Sequence, residues 1–142
     1  MEKDLKVTIG EAKQFNPLVL AFLGDAIYEV FARMYVTGKN RERSVHKLHI
    51  DAIGFVKAHE QSSVIMEIKD NLTSQEYEIF KRGRNAKSGT VPKNADVREY
   101  RNATGFESLI GFLYITEQKD RLDDILKMVE KVKENNNLEV EK

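Results

Sequence analysis

An all-α fold follows from three features of this 142-residue sequence. Apolar residues recur at helical spacing over long stretches, helix-start signals precede those stretches, and no two period-two segments are available to pair as a sheet. The opening residues Leu5 to Ile9 alternate weakly, but a lone strand has no partner. The first helix starts at Asn16-Pro17, where Asn caps and Pro takes the first turn, and Gly38 lies just beyond its end. Leu20, Leu23, Ile27, Val30, Phe31 and Met34 form its apolar stripe. A second long helix is predicted from Ser44 to about Ile68, with Val45, Leu48, Ala52, Phe55, Val56 and His59 on one stripe. Thr73-Ser74-Gln75-Glu76 has the form of a capping box and opens a third helix toward Lys81. Gly83 to Lys93, with two Gly and one Pro among polar and basic side chains, is expected to be a loop. A fourth helix is predicted over roughly Asn94 to Thr116, bent near Gly105. A fifth spans about Lys119 to Glu134 and ends at Asn135-Asn136-Asn137.

Composition narrows the function classes. The absence of Cys removes a disulfide framework, a thiolate zinc site and a cysteine nucleophile. Only 2 Pro and 8 Gly beside 32% charged residues describe neither a low-complexity nor a disordered chain. The longest apolar stretch, Leu18 to Phe31, is interrupted by Gly24, Asp25 and Glu29, so no membrane span is expected. Met1-Glu2-Lys3-Asp4 lacks the basic-then-apolar layout of a secretion signal. The expectation is one soluble, cytoplasmic domain over 1–142, with its motifs within about 16–114 and a C-terminal helix and tail over 117–142.

A formal net charge of zero hides segregation. Residues 81–101 hold seven basic and two acidic side chains, a net +5, and residues 31–50 hold five and one, a net +4. Residues 51–80 carry −4. Two basic blocks in a neutral protein point to a localised polyanion site, against the alternative of solvated faces. The densest block, Lys81-Arg82-Gly83-Arg84-Asn85-Ala86-Lys87-Ser88-Gly89-Thr90-Val91-Pro92-Lys93-Asn94, alternates guanidinium, ammonium, amide and hydroxyl donors with small residues. Such a segment can track a phosphate backbone closely. It has no aromatic residue for base stacking, so duplex RNA recognised by shape suits it better than a single strand.

Two apolar helices each carry an acid where packing prefers none. Asp25 lies in Phe22-Leu23-Gly24-Asp25-Ala26, and Glu107 in Gly105-Phe106-Glu107-Ser108-Leu109-Ile110-Gly111. The small neighbours permit close helix approach. Two such acids facing one another can hold a hard, partly hydrated divalent cation; alone, each could also lie on the solvated edge of its helix. Glu29, one turn after Asp25, is a third ligand, an orienting group or an i,i+4 partner of Arg33. His46 and His49 lack the companion residues of a zinc motif, so His46 beside Lys47 is assigned a surface or RNA-contacting role rather than ligation.

Phe22-Leu23-Gly24-Asp25-Ala26 resembles the helix motif of ribonuclease III catalytic domains, and Phe106-Glu107-Ser108-Leu109-Ile110-Gly111-Phe112-Leu113-Tyr114 resembles their second acidic helix. Lys81 to Gly89 and Pro92-Lys93-Asn94-Ala95-Asp96-Val97, followed by Tyr100-Arg101 and Thr104, are similar to the short Mini-ribonuclease III branch, which lacks a double-stranded-RNA-binding domain. The resemblance implies that Asp25 and Glu107 bind catalytic Mg2+. It further implies hydrolysis of double-stranded RNA that leaves 5′-phosphate and 3′-hydroxyl ends. The larger enzymes have Glu where this chain has Ala21 and Asp where it has Thr104; the short branch shares both departures. Fewer direct ligands leave waters, Thr104 or Glu29 to complete the metal shell. Phe22 falls where the family places an aromatic at a homodimer interface, as cutting two strands with two sites requires. The implied RNA contacts are Arg82, Arg84, Asn85, Lys87, Ser88, Lys93 and Asn94, with His46 and Lys47. The implied substrate is the large-subunit (23S) ribosomal RNA precursor, with room for a ribosomal-protein helper. The alternative is a non-catalytic double-stranded-RNA-binding dimer of the same fold.

Overall fold

In the computed structural model, which describes residues 5–87 and 90–141 and side chains up to 137, the chain is helical as expected. The helices are α1 (Ile9–Lys13), α2 (Pro17–Lys39), α3 (Val45–Val56), α4 (Ala58–Ile68), α5 (Ser74–Asn85), α6 (Val97–Ile115) and α7 (Lys119–Glu141), with a 3-10 turn at Lys69–Asn71. Among the described residues no helix is long and apolar enough to cross a membrane.

The core is organised around α6, whose sequence is apolar or small over most of its surface. Phe106, Leu109, Ile110, Phe112 and Leu113 are fully buried there. They meet Leu20 and Tyr28 of α2, Val64 and Ile65 of α4, Phe80 of α5, and Ile125 and Val129 of α7. Tyr28 stands edge-on to Phe106 at 5.0 Å, an arrangement that matches ring edge to ring face. Two crossings bring main chains together. A Cβ at Gly24 would come within 1.8 Å of the Glu107 carbonyl oxygen, and one at Gly111 within 2.1 Å of that of Leu20. On the other side of α6, Gly83 and Gly105 admit α5 in the same way.

Several boundaries differ from expectation. Leu5 to Ile9 make no strand, as expected, but a short helix that was not among the expected elements follows: Thr8 and Glu11 form a reciprocal capping box that opens α1. The predicted helix from Ser44 to Ile68 is two helices, because Lys57 is extended (φ −65°, ψ 150°) and serves as end cap of α3 and start of α4. Gly54 and β-branched Val56 weaken that stretch. The carbonyls freed by the break are taken by one nearby and one distant side chain. Gln61 donates to Val56 O at 2.8 Å, and Lys133 of α7 donates to Gly54 O at 3.3 Å. The expected loop starts later, since α5 runs on through Gly83 to Asn85, held by its contact with α6. Conversely, α6 starts at Val97 under an Asp96 cap and continues unbroken through Gly105. The preceding turn is closed by Ala95 N–H on Pro92 O, with Asn94 left-handed at φ 71°, a conformation Asn tolerates. The three asparagines do not stop α7, which reaches Glu141. Val30 and Met34, expected on the α2 core stripe, are exposed, as is Val45 on α3.

Candidate active site

Asp25 and Glu107 come together at the glycine crossing. Gly24 lies directly against the Glu107 backbone, so the next residue of α2 and the side chain of Glu107 share the flank of the same contact. Their carboxyl groups lie close enough to influence one another. Burial, followed by the neighbouring Asp25 carboxyl and its charge, pushes the Glu107 carboxyl up to about 8, while the Gln61 amide opposes the shift. Two carboxyls in this relation cannot both ionise cheaply without a shared proton or a cation.

The floor of the site is polar and incompletely satisfied. Gln61 is 2% exposed. Its Nε2 donates to Val56 O and lies 3.5 Å from Glu107 Oε2, while its Oε1 has no partner. Tyr28 is fully buried with an unpartnered hydroxyl. Burial, with the charges of Glu60 and Glu107, raises its pKa. Glu60 is itself paired with Lys133. Unsatisfied buried polar atoms are rare in native proteins and mark places where water or an ion belongs.

Other sequence-selected residues stand around this centre or apart from it. Glu29 is ion-paired through Oε1 to Arg33 at 3.1 Å, the i,i+4 arrangement; its buried Oε2 has no partner. Thr104 donates its hydroxyl to Tyr100 O at 3.0 Å, within its own helix. Among the described residues no group of three or more His, Asp or Glu gathers as a ready-made cage. A cation at Asp25 and Glu107 would therefore draw much of its shell from water, as a hard, octahedral ion such as Mg2+ tolerates.

The basic block divides in two. Arg82 lies in α5 and donates to Lys13 O at 2.7 Å and Phe15 O at 3.3 Å, fastening the end of α1. Arg84 lies over the Phe80 ring at 5.5 Å and donates to Asn85 Oδ1 at 3.2 Å. Lys87, Lys93 and Asn94 are exposed along the segment joining α5 to α6, and Ser88 falls outside the described residues. His46 and Lys47 are exposed on the first turn of α3. Phe22 is 77% exposed on the outer face of α2.

Gln61 and Tyr28 do not stand out as site residues in the sequence. The one signal is a single Gln on the α4 stripe it shares with Val64, Ile65 and Ile68, where an apolar residue is the rule.

Comparison with known proteins gives the family. The Ribonuclease III domain family matches residues 18–118, which include both acidic motifs and the basic segment. A protein named Mini-ribonuclease 3 from Clostridium tetani is 52% identical over 119 residues, covering 84% of this chain and 79% of that one. A second Mini-ribonuclease 3, from Enterococcus faecalis, is 46% identical over 129 residues, covering 87% and 96%. A crystal structure of a Fusobacterium nucleatum protein superposes with a TM-score of 0.75 at 32% identity, covering 84% of this chain and 95% of that chain. Fold and site thus define the class, an endoribonuclease domain of the ribonuclease III family, whose substrate is double-stranded RNA. Within that family the chain belongs to the Mini-ribonuclease 3 branch.

Proposed function

We propose that this endoribonuclease is Mg2+-dependent, works as a homodimer and matures the large-subunit (23S) ribosomal RNA precursor, leaving 5′-phosphate and 3′-hydroxyl ends. The observation that carries the catalytic part is the opposition of Asp25 and Glu107 across a main-chain contact, with the Glu107 carboxyl raised to about 8 by burial and by the neighbouring Asp25. A divalent cation supplies a counter-charge, and unpartnered Gln61 Oε1 beside it offers a place for water. When bound there, Mg2+ activates water and neutralises charge building on the phosphate. Asp25 and Glu107 hold the cation. The α2–α6 crossing fixes their separation.

The grip on RNA is assigned to Arg84, Asn85, Lys87, Lys93 and Asn94, with His46 and Lys47. Arg82 belongs to the same block but supports it from the α1 side. Dimerisation is supported by the outward face of α2, where Val19, Phe22, Val30 and Met34 lie exposed at helical spacing. A soluble monomer rarely leaves so continuous an apolar stripe uncovered. The ribosomal substrate rests on the family resemblance.

The test is incubation of labelled duplex and single-stranded RNA with the protein, with Mg2+ and with chelator, followed by end-group analysis. Duplex-specific cleavage that needs Mg2+ and is lost in Asp25→Asn supports the reading. Full activity of Asp25→Asn, or cleavage in chelator, overturns it. Phe22→Glu should shift sedimentation from dimer to monomer; a wild-type protein that is monomeric at micromolar concentration removes the paired-site arrangement.

A further inference from the structure

A polar side chain sealed under the acidic pair is unexplained by the pair alone. Gln61 occupies an inward position of α4 among Val64, Ile65 and Ile68, a setting in which Leu or Met would pack without cost. It reaches that position because the chain breaks at Lys57. The break leaves Val56 O free of its helical partner, and Gln61 Nε2 takes it at 2.8 Å. That bond fixes the amide plane. The same nitrogen then faces Glu107 Oε2 at 3.5 Å, from the core side. The other amide atom, Oε1, is buried with nothing to accept from. The geometry therefore runs from a helix break, through one anchored amide, to one oxygen of Glu107.

We propose that Gln61 is a positioning residue for cleavage: anchored on the Val56 carbonyl, its amide holds the Glu107 carboxylate in the orientation that faces Asp25 and a shared cation. The inference rests on the reading of Asp25 and Glu107 as the cation-holding pair. A carboxylate rotates freely about its last bond unless one oxygen is tethered, and an outer hydrogen-bond donor of this kind orients a ligand without touching the metal. The donor must itself be immobile, which the Val56 anchor provides. Neither Thr104, whose hydroxyl is turned to Tyr100 O, nor Glu29, paired to Arg33, does this for Glu107.

The test uses Gln61→Met, which keeps length and volume but removes both amide groups, and Gln61→Asn, which keeps the amide on a stem too short to reach both partners. The full chain is measured, with activity normalised to folded fraction by circular dichroism. The expected result is a fall in kcat of about ten- to a hundredfold, with KM and duplex binding in chelator unchanged. Calorimetric Mg2+ titration without RNA should show a comparably weaker affinity. If Gln61→Met does not fold, Gln61→Asn carries the measurement. Wild-type kcat and Mg2+ affinity in either folded variant overturns the proposal, and so does a loss of activity that only tracks the loss of folded protein. Asp25→Asn and Glu107→Gln are run alongside: if they stay active, the underlying site reading has failed; if they are dead while the Gln61 variants are normal, the positioning role alone has failed.

Discussion

Glu76 and Glu107 both lie largely inside the protein, and their surroundings treat the charge in opposite ways. Glu76 is 2% exposed at the start of α5. Its oxygens accept from Arg121 at 2.8 and 2.9 Å, and Thr73 N–H adds a third bond at 2.9 Å. Burial works against the charge there, yet the Arg121 guanidinium and the Thr73 hydrogen bonds outweigh it and hold the carboxyl below its ordinary range. Glu107 has no guanidinium; burial, with a second acid, Asp25, beside it, raises it to about 8. A buried carboxylate given every partner it needs serves the fold, whereas one left without a cationic side chain is a candidate for function.

The sharpest way to break this contrast is to neutralise each acid in turn. Glu107→Gln should lose more than about a hundredfold in duplex cleavage, beyond the cost of removing an outer partner, while a urea melt still shows a folded protein. Glu76→Gln should leave cleavage per folded molecule unchanged. Equal losses in both variants would erase the distinction. Next in size is stability. Arg121→Met should cost about 3 kcal/mol in urea unfolding, the low end for a broken buried pair, because Arg121 is partly exposed. A loss below about 1 kcal/mol would put this pair among ordinary surface bridges.

The pH dependence should separate the two residues by sign. Without metal, folded Glu107 keeps its proton above the ordinary 4.5, so the folded state holds more protons than the unfolded one. Stability then falls as pH rises from 4.5 through about 8. Glu107→Gln should escape that loss, and the two melting curves should diverge between pH 5 and 9 (~3 °C or more for a domain this size). Glu76 acts in reverse: its contribution is present above its ordinary value and disappears as pH falls through the depressed folded one. Wild type and Glu76→Gln should therefore converge in acid. Parallel curves would show that the two sites are not electrostatic opposites. The smallest effect belongs to the basic block. Replacing Lys87 and Lys93 with Ala should reduce the salt slope of duplex binding by about 1 for each phosphate that is no longer neutralised. Arg82→Ala should lower stability and leave that slope alone.

Much of this was legible where the determinants are local. Asn16-Pro17 and the Thr73–Glu76 box each lie within a few positions, and each took the structure expected of it. What stayed hidden depends on residues far apart in the chain. The split at Lys57 is stabilised in part by Lys133 of the last helix, which donates to Gly54 O. Arg82 reads as a free cation because its acceptors, Lys13 O and Phe15 O, belong to the other end of the sequence. Val30 and Met34 obey the same periodicity as the core positions around them. Only the packing on α6 shows which side of a broadly apolar helix faces inward.

The bare meeting of Gly24 with Glu107 and of Gly111 with Leu20 has a practical consequence for anyone redesigning the site. The spacing of the two helices there is set by peptide against peptide, so swapping the acid side chains leaves the seam itself unchanged. A single methyl at Gly24 would act as a shim, prising two rods apart along their whole seam. Changing the separation of the two helices thus has to begin at that seam.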